Sequence, residues 1–227
     1  MYLYHPHNKN LPSGKSKFRR PHYYPGGGTF SISFRLAGSI TRPAFYKIEK
    51  LFKEYNGVIP QRIYWEASAE ERIGFRQMMT GSTGRRSLNG PFHLHHNERC
   101  REILKETIAF KEGEHYRTLA LSIMPNHVHW IVQHLSSKWH MGQLLAQVKS
   151  FSAKKSNLLL ETTGQPYWQN ESWDRVIRSQ KELEKDIKYT LLNPVVCYLA
   201  KDWKSWPGNY VNPLCEGYAP ISKAIKI

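Results

Sequence analysis

Three cysteines in 227 residues, Cys100, Cys197 and Cys215, are too few and too scattered for a disulfide framework. No CxxC pair is present to seed a structural zinc site, so a reducing, cytoplasmic setting is expected. Acidic residues are scarce: 18 Asp and Glu stand against 33 Lys and Arg, a net charge of +15 with 11 histidines besides. No apolar run approaches the roughly 18 residues needed to cross a bilayer. The first twenty residues carry charge but no apolar segment, so neither a membrane partner nor a secretory signal is expected. What the chain does have is a hydrophobic fraction of 40%, enough for a core, and 13% aromatic residues. Positive charge with many rings points to nucleic acid, because phosphates attract the charge and unpaired bases stack on the rings. The competing reading at this level is a merely basic globular protein.

The charge is unevenly spread. Residues 1–28 hold five basic residues and no acid, together with Gly26-Gly27-Gly28, and read as a flexible basic arm that orders only against a partner or the domain edge. Residues 72–101 hold six arginines against Glu98, overlapping a basic insertion at about 56–90, and residues 136–160 hold four lysines and no acid. Residues 29–200 read as one domain and 201–227 as a tail or strap. Within the domain, Phe30, Ile32, Phe34 and Leu36 alternate with polar residues and predict a half-buried strand. Helices are expected from Thr41 to about Phe52, from an Asn97 cap to about Lys111, from about Met141 to Leu160 and from about Gln180 to Asn193. Strands are expected from Tyr116 to Met124 and from Val128 to Leu135, and a short strand between Tyr167 and Ile177. That order argues for an α+β sandwich with an antiparallel sheet, a ferredoxin-like split βαβ arrangement being one candidate.

His127-Val128-His129 opens a predicted strand directly after the turn Met124-Pro125-Asn126. Residues i and i+2 of a strand share a face, so the two imidazoles can occupy two positions on one divalent ion. Two ordinary sheet histidines fit the same pattern. His93-Leu94-His95-His96 repeats the HxH spacing after Gly90-Pro91, where nothing in the sequence fixes its face; it reads as a basic, phosphate-facing linker. On the last predicted helix, Leu183, Ile187 and Leu191 form an apolar stripe. Tyr189 lies about 200° and Asn193 about 240° around from Ile187, i and i+4 neighbours on the face opposite that stripe. Tyr189 is then either surface decoration or a residue held out for a reaction. Asn193 precedes Pro194, where the helix is expected to end or bend, and its carboxamide oxygen could be a third, harder metal ligand.

Met124-Pro125-Asn126-His127-Val128-His129, followed by Lys188-Tyr189-Thr190-Leu191-Leu192-Asn193-Pro194-Val195, resembles the single-tyrosine HUH transposases. Within them it is most similar to the REP-associated tyrosine transposases, relatives of the IS200/IS605 insertion-sequence enzymes. Further segments agree: Gly26 to Ala37, Lys149-Ser150-Phe151, Trp168-Gln169, Trp173-Asp174-Arg175 with Ile177-Arg178, and the Trp-Pro ending from Trp203 to Tyr210. The resemblance covers about residues 21–210. Two departures stand out. The 56–90 stretch is longer and richer in Arg than the family pattern, and Cys197-Tyr198-Leu199 replaces the small-Gly-Leu that usually follows Asn-Pro-Val.

The resemblance implies a ferredoxin-like HUH nuclease fold with N- and C-terminal extensions. It also implies cleavage of single-stranded DNA near a REP or BIME-like hairpin through a 5′-phosphotyrosine. Tyr189 would be the nucleophile, and His127, His129 and Asn193 would bind Mg²⁺ or Mn²⁺. Arg19, Arg20, Arg35, Arg85, Arg86, Lys149, Lys154, Trp168, Trp173, Arg175 and Arg178 are the candidate DNA contacts. For Trp168 core packing competes with stacking, and for the helix lysines a solvated face competes with a stem contact. A monomer is expected in preference to a helix-swapped dimer, in a bacterial cytoplasm in association with the nucleoid. The alternatives are a catalytically silent hairpin-binding protein or repressor, a mobile insertion-sequence transposase, and, from a different class, a metal-dependent hydrolase of small phosphates.

Overall fold

The computed structural model describes residues 8, 10–16, 22–37, 50–51, 53–56, 58–66, 94, 97–170 and 172–220. The expected helix start at Thr41, most of the 56–90 insertion and the stretch His93-Leu94-His95-His96 lie largely outside them. So do Arg19, Arg20, Arg85 and Arg86. Among the described residues no helix is long and apolar enough to cross a membrane.

The alternation in residues 29–36 does produce a strand. β1 (Gly14–Ser16) and β2 (His22–Tyr24) form a two-stranded ribbon, and β3 (Thr29–Arg35) enters a second sheet. α1 (Gln61–Glu66), α2 (Glu98–Ala109), β4 (Tyr116–Ile123), β5 (His127–His134), α3 (Met141–Leu159), β6 (Trp173–Val176) and α4 (Gln180–Val196) follow. The chain closes with a 3-10 turn at Trp203–Ser205, strand β7 (Asn209–Val211) and a second 3-10 turn at Pro213–Tyr218. The main sheet has the order β6-β3-β5-β4-β7 with every neighbouring pair antiparallel. Strands β3, β4, β5 and β6, with α2 and α3 as crossovers, reproduce the ferredoxin-like order, and β7 extends it at the β4 edge.

The two faces of the sheet bury different sets of residues. Phe30, Ile32 and Phe34 of β3 meet Val132, Trp130 and Val128 of β5 on one face, where Leu104 and Ile108 of α2 and Leu144, Leu145 and Val148 of α3 cover them. The opposite face packs Leu119, Ala120 and Ile131 under Leu183, Ile187 and Leu191 of α4. A register shift between Thr118 and Ala120 accompanies the turning of two successive residues, Leu119 and Ala120, into that second layer. α2 starts where expected, with the Asn97 side chain accepting from the Cys100 amide.

One expectation changes and two become specific. Within the stretch expected as a tail or strap, residues 203–218 pack on the domain: β7 pairs with β4, Trp203 and Trp206 are buried, and Trp206 Nε1 donates to the Ile123 carbonyl at 3.0 Å. The N-terminal ribbon lies against the domain edge through two buried side chains. His22 pairs with Asp174, and the Tyr24 hydroxyl donates to Asp174 Oδ1 at 3.2 Å. Gly142 is required beside it, because a Cβ there would stand 2.4 Å from the Tyr24 ring. Finally, α4 does not stop before Pro194. Pro194 is buried inside the last turn, and the Tyr198 and Leu199 amides close the helix by donating to the Val195 and Pro194 carbonyls at 3.0 and 2.8 Å. This is a Schellman ending, and its left-handed position falls on Tyr198, with φ of 55°.

Candidate active site

The site lies where β5 begins. The Met124 amide donates to the His127 carbonyl and the Leu36 amide to the Asn126 carbonyl, both at 2.8 Å, which fixes the turn from β4 to β5 and ties it to the end of β3. His127 and His129 then point to the α4 side of the sheet, opposite Arg35 and Ser33 of β3. Both are buried, as are Asn126 and Asn193.

The hydrogen-bond partners assign the tautomers. His127 Nδ1 lies 2.8 Å from Asn126 Oδ1, an oxygen that only accepts, so Nδ1 carries the proton and Nε2 is bare. Asn193 Nδ2 lies 3.1 Å from His129 Nε2, and an amide nitrogen only donates, so that Nε2 is bare too. The two Nε2 atoms are 3.1 Å apart. Two lone pairs converging at that distance repel unless a cation lies between them. The separation also matches the roughly 3 Å edge of two neighbouring octahedral donors about 2.1 Å from one ion. Burial, aided by the Arg35 charge, lowers His129 to about 4, and burial with the neighbouring His129 and Arg35 holds His127 well below the usual imidazole value. Both rings are therefore neutral at neutral pH, as metal ligands must be.

The carboxamide of Asn193 completes the pair. Its Oδ1 takes a hydrogen bond from Cys197 Sγ at 3.6 Å, one turn further along α4. Rotation of the amide by 180° exchanges its two ends at little steric cost and turns Oδ1 toward the histidines. Among the described residues no three His, Cys, Asp or Glu side chains gather to hold an ion, so an ion held here would rest on two imidazoles and an amide. The sequence placed Asn193 with Tyr189 off the apolar stripe; it is in fact only 2% exposed, on the flank of α4 that turns down to the sheet.

Tyr189 is 50% exposed, and its ring meets His129 edge-on at 5.5 Å between centroids. Partial burial pushes its hydroxyl above 10, while a hydrogen bond with Asn193 acts the other way. α4 is anchored beside it by Arg175 of β6, which pairs with Glu182 and places Nη2 2.6 Å from Asp186 Oδ2.

The candidate DNA contacts separate into distinct groups. Arg35 lies beside the histidines, where burial lowers it to about 10, still charged at neutral pH. Trp173, Lys154 and Arg178 are exposed. Trp168 is not available for stacking: it is 6% exposed, lies edge-on to Phe34 at 4.8 Å and donates from Nε1 to Ser152 Oγ at 3.0 Å. Core packing is the reading the structure supports for it. Lys149 is engaged within the chain. Its Nζ donates to the Gln169 and Asn170 carbonyls at 2.7 and 3.0 Å, and burial lowers it to about 8. Asn126 and Cys197 were missed as site residues. The signal for Asn126 was its place directly before HxH, where it reads as an ordinary turn former; the signal for Cys197 was its i+4 spacing from Asn193.

A family model described as "Transposase IS200 like" matches residues 83–181, a stretch that includes both histidines and ends short of Tyr189. A Haemophilus influenzae protein named as a REP-associated tyrosine transposase is 28% identical over 110 aligned residues, which span 44% of this chain and 62% of that relative. The aligned region thus covers less than two thirds of the relative's length. A solved structure of a REP-associated tyrosine transposase bound to a REP hairpin superposes with a TM-score of 0.51 at 16% identity, covering 93% of this chain and 94% of that one. The last of these establishes the fold. Over residues 83–181 the chain is thus similar to the IS200-like transposases. The named relative and the solved structure carry that similarity to the REP-associated tyrosine transposases.

Proposed function

We propose that this protein is a divalent-metal-dependent endonuclease and strand transferase of single-stranded DNA that recognises REP-like hairpins and cleaves through a 5′-phosphotyrosine on Tyr189. The observation that carries this reading is the Tyr189 ring set 5.5 Å from His129, whose bare Nε2 converges with that of His127 at 3.1 Å. A half-exposed phenol beside two buried, neutral imidazoles is unusual for packing alone, and it suits attack on a phosphodiester that approaches from solvent.

His127, His129 and the Oδ1 of a rotated Asn193 would hold Mn²⁺ or Mg²⁺, the latter drawing further oxygens from phosphate and water. When bound, such an ion neutralises charge on the scissile phosphate and favours departure of the 3′ oxygen. Tyr189 Oη attacks phosphorus, the bond to the 3′ oxygen breaks, the phenol loses its proton, and the departing oxygen gains one to become a free 3′-OH. Asn193 holds Oη toward the site before attack. Because a phosphodiester bond is exchanged for another, a 3′-OH can later reverse the step, release Tyr189 and join strands. Arg35 supplies a fixed positive charge at the same end of the sheet, and exposed Lys154 offers a further contact to the DNA backbone, whereas Arg178 follows Ile177 beyond the Thr29 end of β3. The N-terminal and 72–101 basic stretches are assigned to the same partner by charge.

Tyr189→Phe tests the reading. The variant should bind a hairpin oligonucleotide as the wild type does and lose all cleavage in Mn²⁺ or Mg²⁺. Cleavage that survives the substitution would refute the assignment, and a wild type that binds but never cleaves would leave a hairpin-binding protein or repressor.

A further inference from the structure

Of the tryptophans whose side chains are described, Trp173 alone is exposed, at 48%. It stands in one cross-strand row with the site: Trp173 of β6 lies opposite Ser33 of β3, and Ser33 lies opposite His129 of β5. Directly opposed residues share a face, so Trp173 projects on the same side as His129, two strands and therefore about 10 Å away. The residue between them is a serine, which leaves that interval low. The face is covered further along by α4, whose Asp186 and Ile187 stand over the Ser31 and Ile131 end of the sheet.

The edge around Trp173 is built to hold it. The Gln169 amide donates to the Arg35 carbonyl at 2.9 Å, so Gln169 and Trp173, four residues apart, meet Arg35 and Ser33, two apart. The edge strand thus carries two extra residues beside the site, and Lys149 fixes its start through the Gln169 and Asn170 carbonyls. On the other side, the Arg175 guanidinium lies 5.8 Å from the Trp173 ring centroid and is tied to Glu182 and Asp186 on α4. The ring is therefore coupled to the helix that carries Tyr189.

We propose that Trp173 is the stacking platform for one unpaired base of the single-stranded flank next to the scissile phosphate, with Gln169 and Asn170 forming the wall of that subsite. A base inside a hairpin stem has both faces covered by its neighbours; only an unpaired base can offer a face to a ring. The row geometry restricts the occupant to a nucleotide adjoining the site, not one in the stem. This inference rests on the proposed cleavage of single-stranded DNA.

The test is an abasic scan in the Tyr189→Phe background, where nothing is consumed. The probe is an oligonucleotide with a REP-type hairpin and a single-stranded flank, read by equilibrium binding. One flank position should lose roughly ten-fold in affinity when its base is removed, the range expected of a single base–aromatic stack. That penalty should vanish in Trp173→Ala and persist in Trp173→Phe, while a hairpin without flank binds all three alike. An unchanged abasic profile in Trp173→Ala, or an equal loss of affinity for the flankless hairpin, overturns the proposal. Cleavage of the same oligonucleotide by the chain with Tyr189 intact reports separately on the underlying function.

Discussion

Removing the Asn126 amide should loosen the metal site without touching a ligand. Asn126 is 3% exposed, and its Oδ1 is the acceptor, at 2.8 Å, that keeps the His127 proton on Nδ1. In Asn126→Ala that N–H has no partner, and the ring gains by moving its proton to Nε2, where it can donate to the bare Nε2 of His129. The tautomer that results cannot bind an ion until it reverts. An unsatisfied buried donor costs about 1–3 kcal/mol. Loss of such an orienting partner weakens metal binding by roughly 10- to 100-fold, which is about 1.4–2.7 kcal/mol at 1.36 kcal/mol per decade. Titration with Mn²⁺, following the free ion by electron paramagnetic resonance, reads the affinity, and long-range proton–nitrogen NMR of the metal-free protein reads the tautomer. Asn126→Asp keeps an acceptor and should retain or raise affinity. Mn²⁺ affinity within two-fold of wild type in Asn126→Ala, with His127 still protonated on Nδ1, would refute the reasoning.

Other consequences follow from the same geometry. Tyr198 occupies the left-handed closing position of α4, so Tyr198→Gly should raise stability by about 0.5–1 kcal/mol in chemical denaturation, whereas Tyr198→Ala, which keeps the strain, should not. Trp168→Ala should cost about 3–5 kcal/mol of stability, as for a large ring removed from a core, and calorimetry should show Trp168→Phe much less affected. The folded-state value of about 4 for His129 lies below its unfolded value near 6.5. The folded state therefore binds fewer protons between those values, and its stability should be intact above about pH 6.5 and fall as the pH drops toward 4. Denaturation of the metal-free protein across that range should show this slope, and His129→Gln should flatten it.

Much of the fold was legible because its strands are amphipathic or apolar for seven or eight residues and its helices carry ordinary signals. Thr29–Arg35, Tyr116–Ile123 and His127–His134 appear where alternation and apolar runs put them. β7 was not legible: three residues, Asn209–Val211, give no period to detect. The end of α4 was misjudged because Pro194 disfavours helix locally, but its burial and the bonds to its carbonyl outweigh that preference. The pairing of His22 with Asp174 links residues 152 positions apart, beyond any local pattern. In the site, the HxH spacing and the i, i+4 relation of Tyr189 and Asn193 could be read, since strand and helix periods dictate them. Whether Trp168 or Trp173 faced solvent could not, because both lie in short irregular sequence where no period assigns a face.

The most direct test of the account is the chemical identity of the linkage. A hairpin oligonucleotide that traps cleavage, incubated with the full chain and Mn²⁺, should yield a covalent complex. Digestion and mass spectrometry should then place the 5′-phosphorylated nucleotide on the peptide bearing Tyr189. A cleaved oligonucleotide with no protein adduct, or an adduct on another residue, would contradict the central claim.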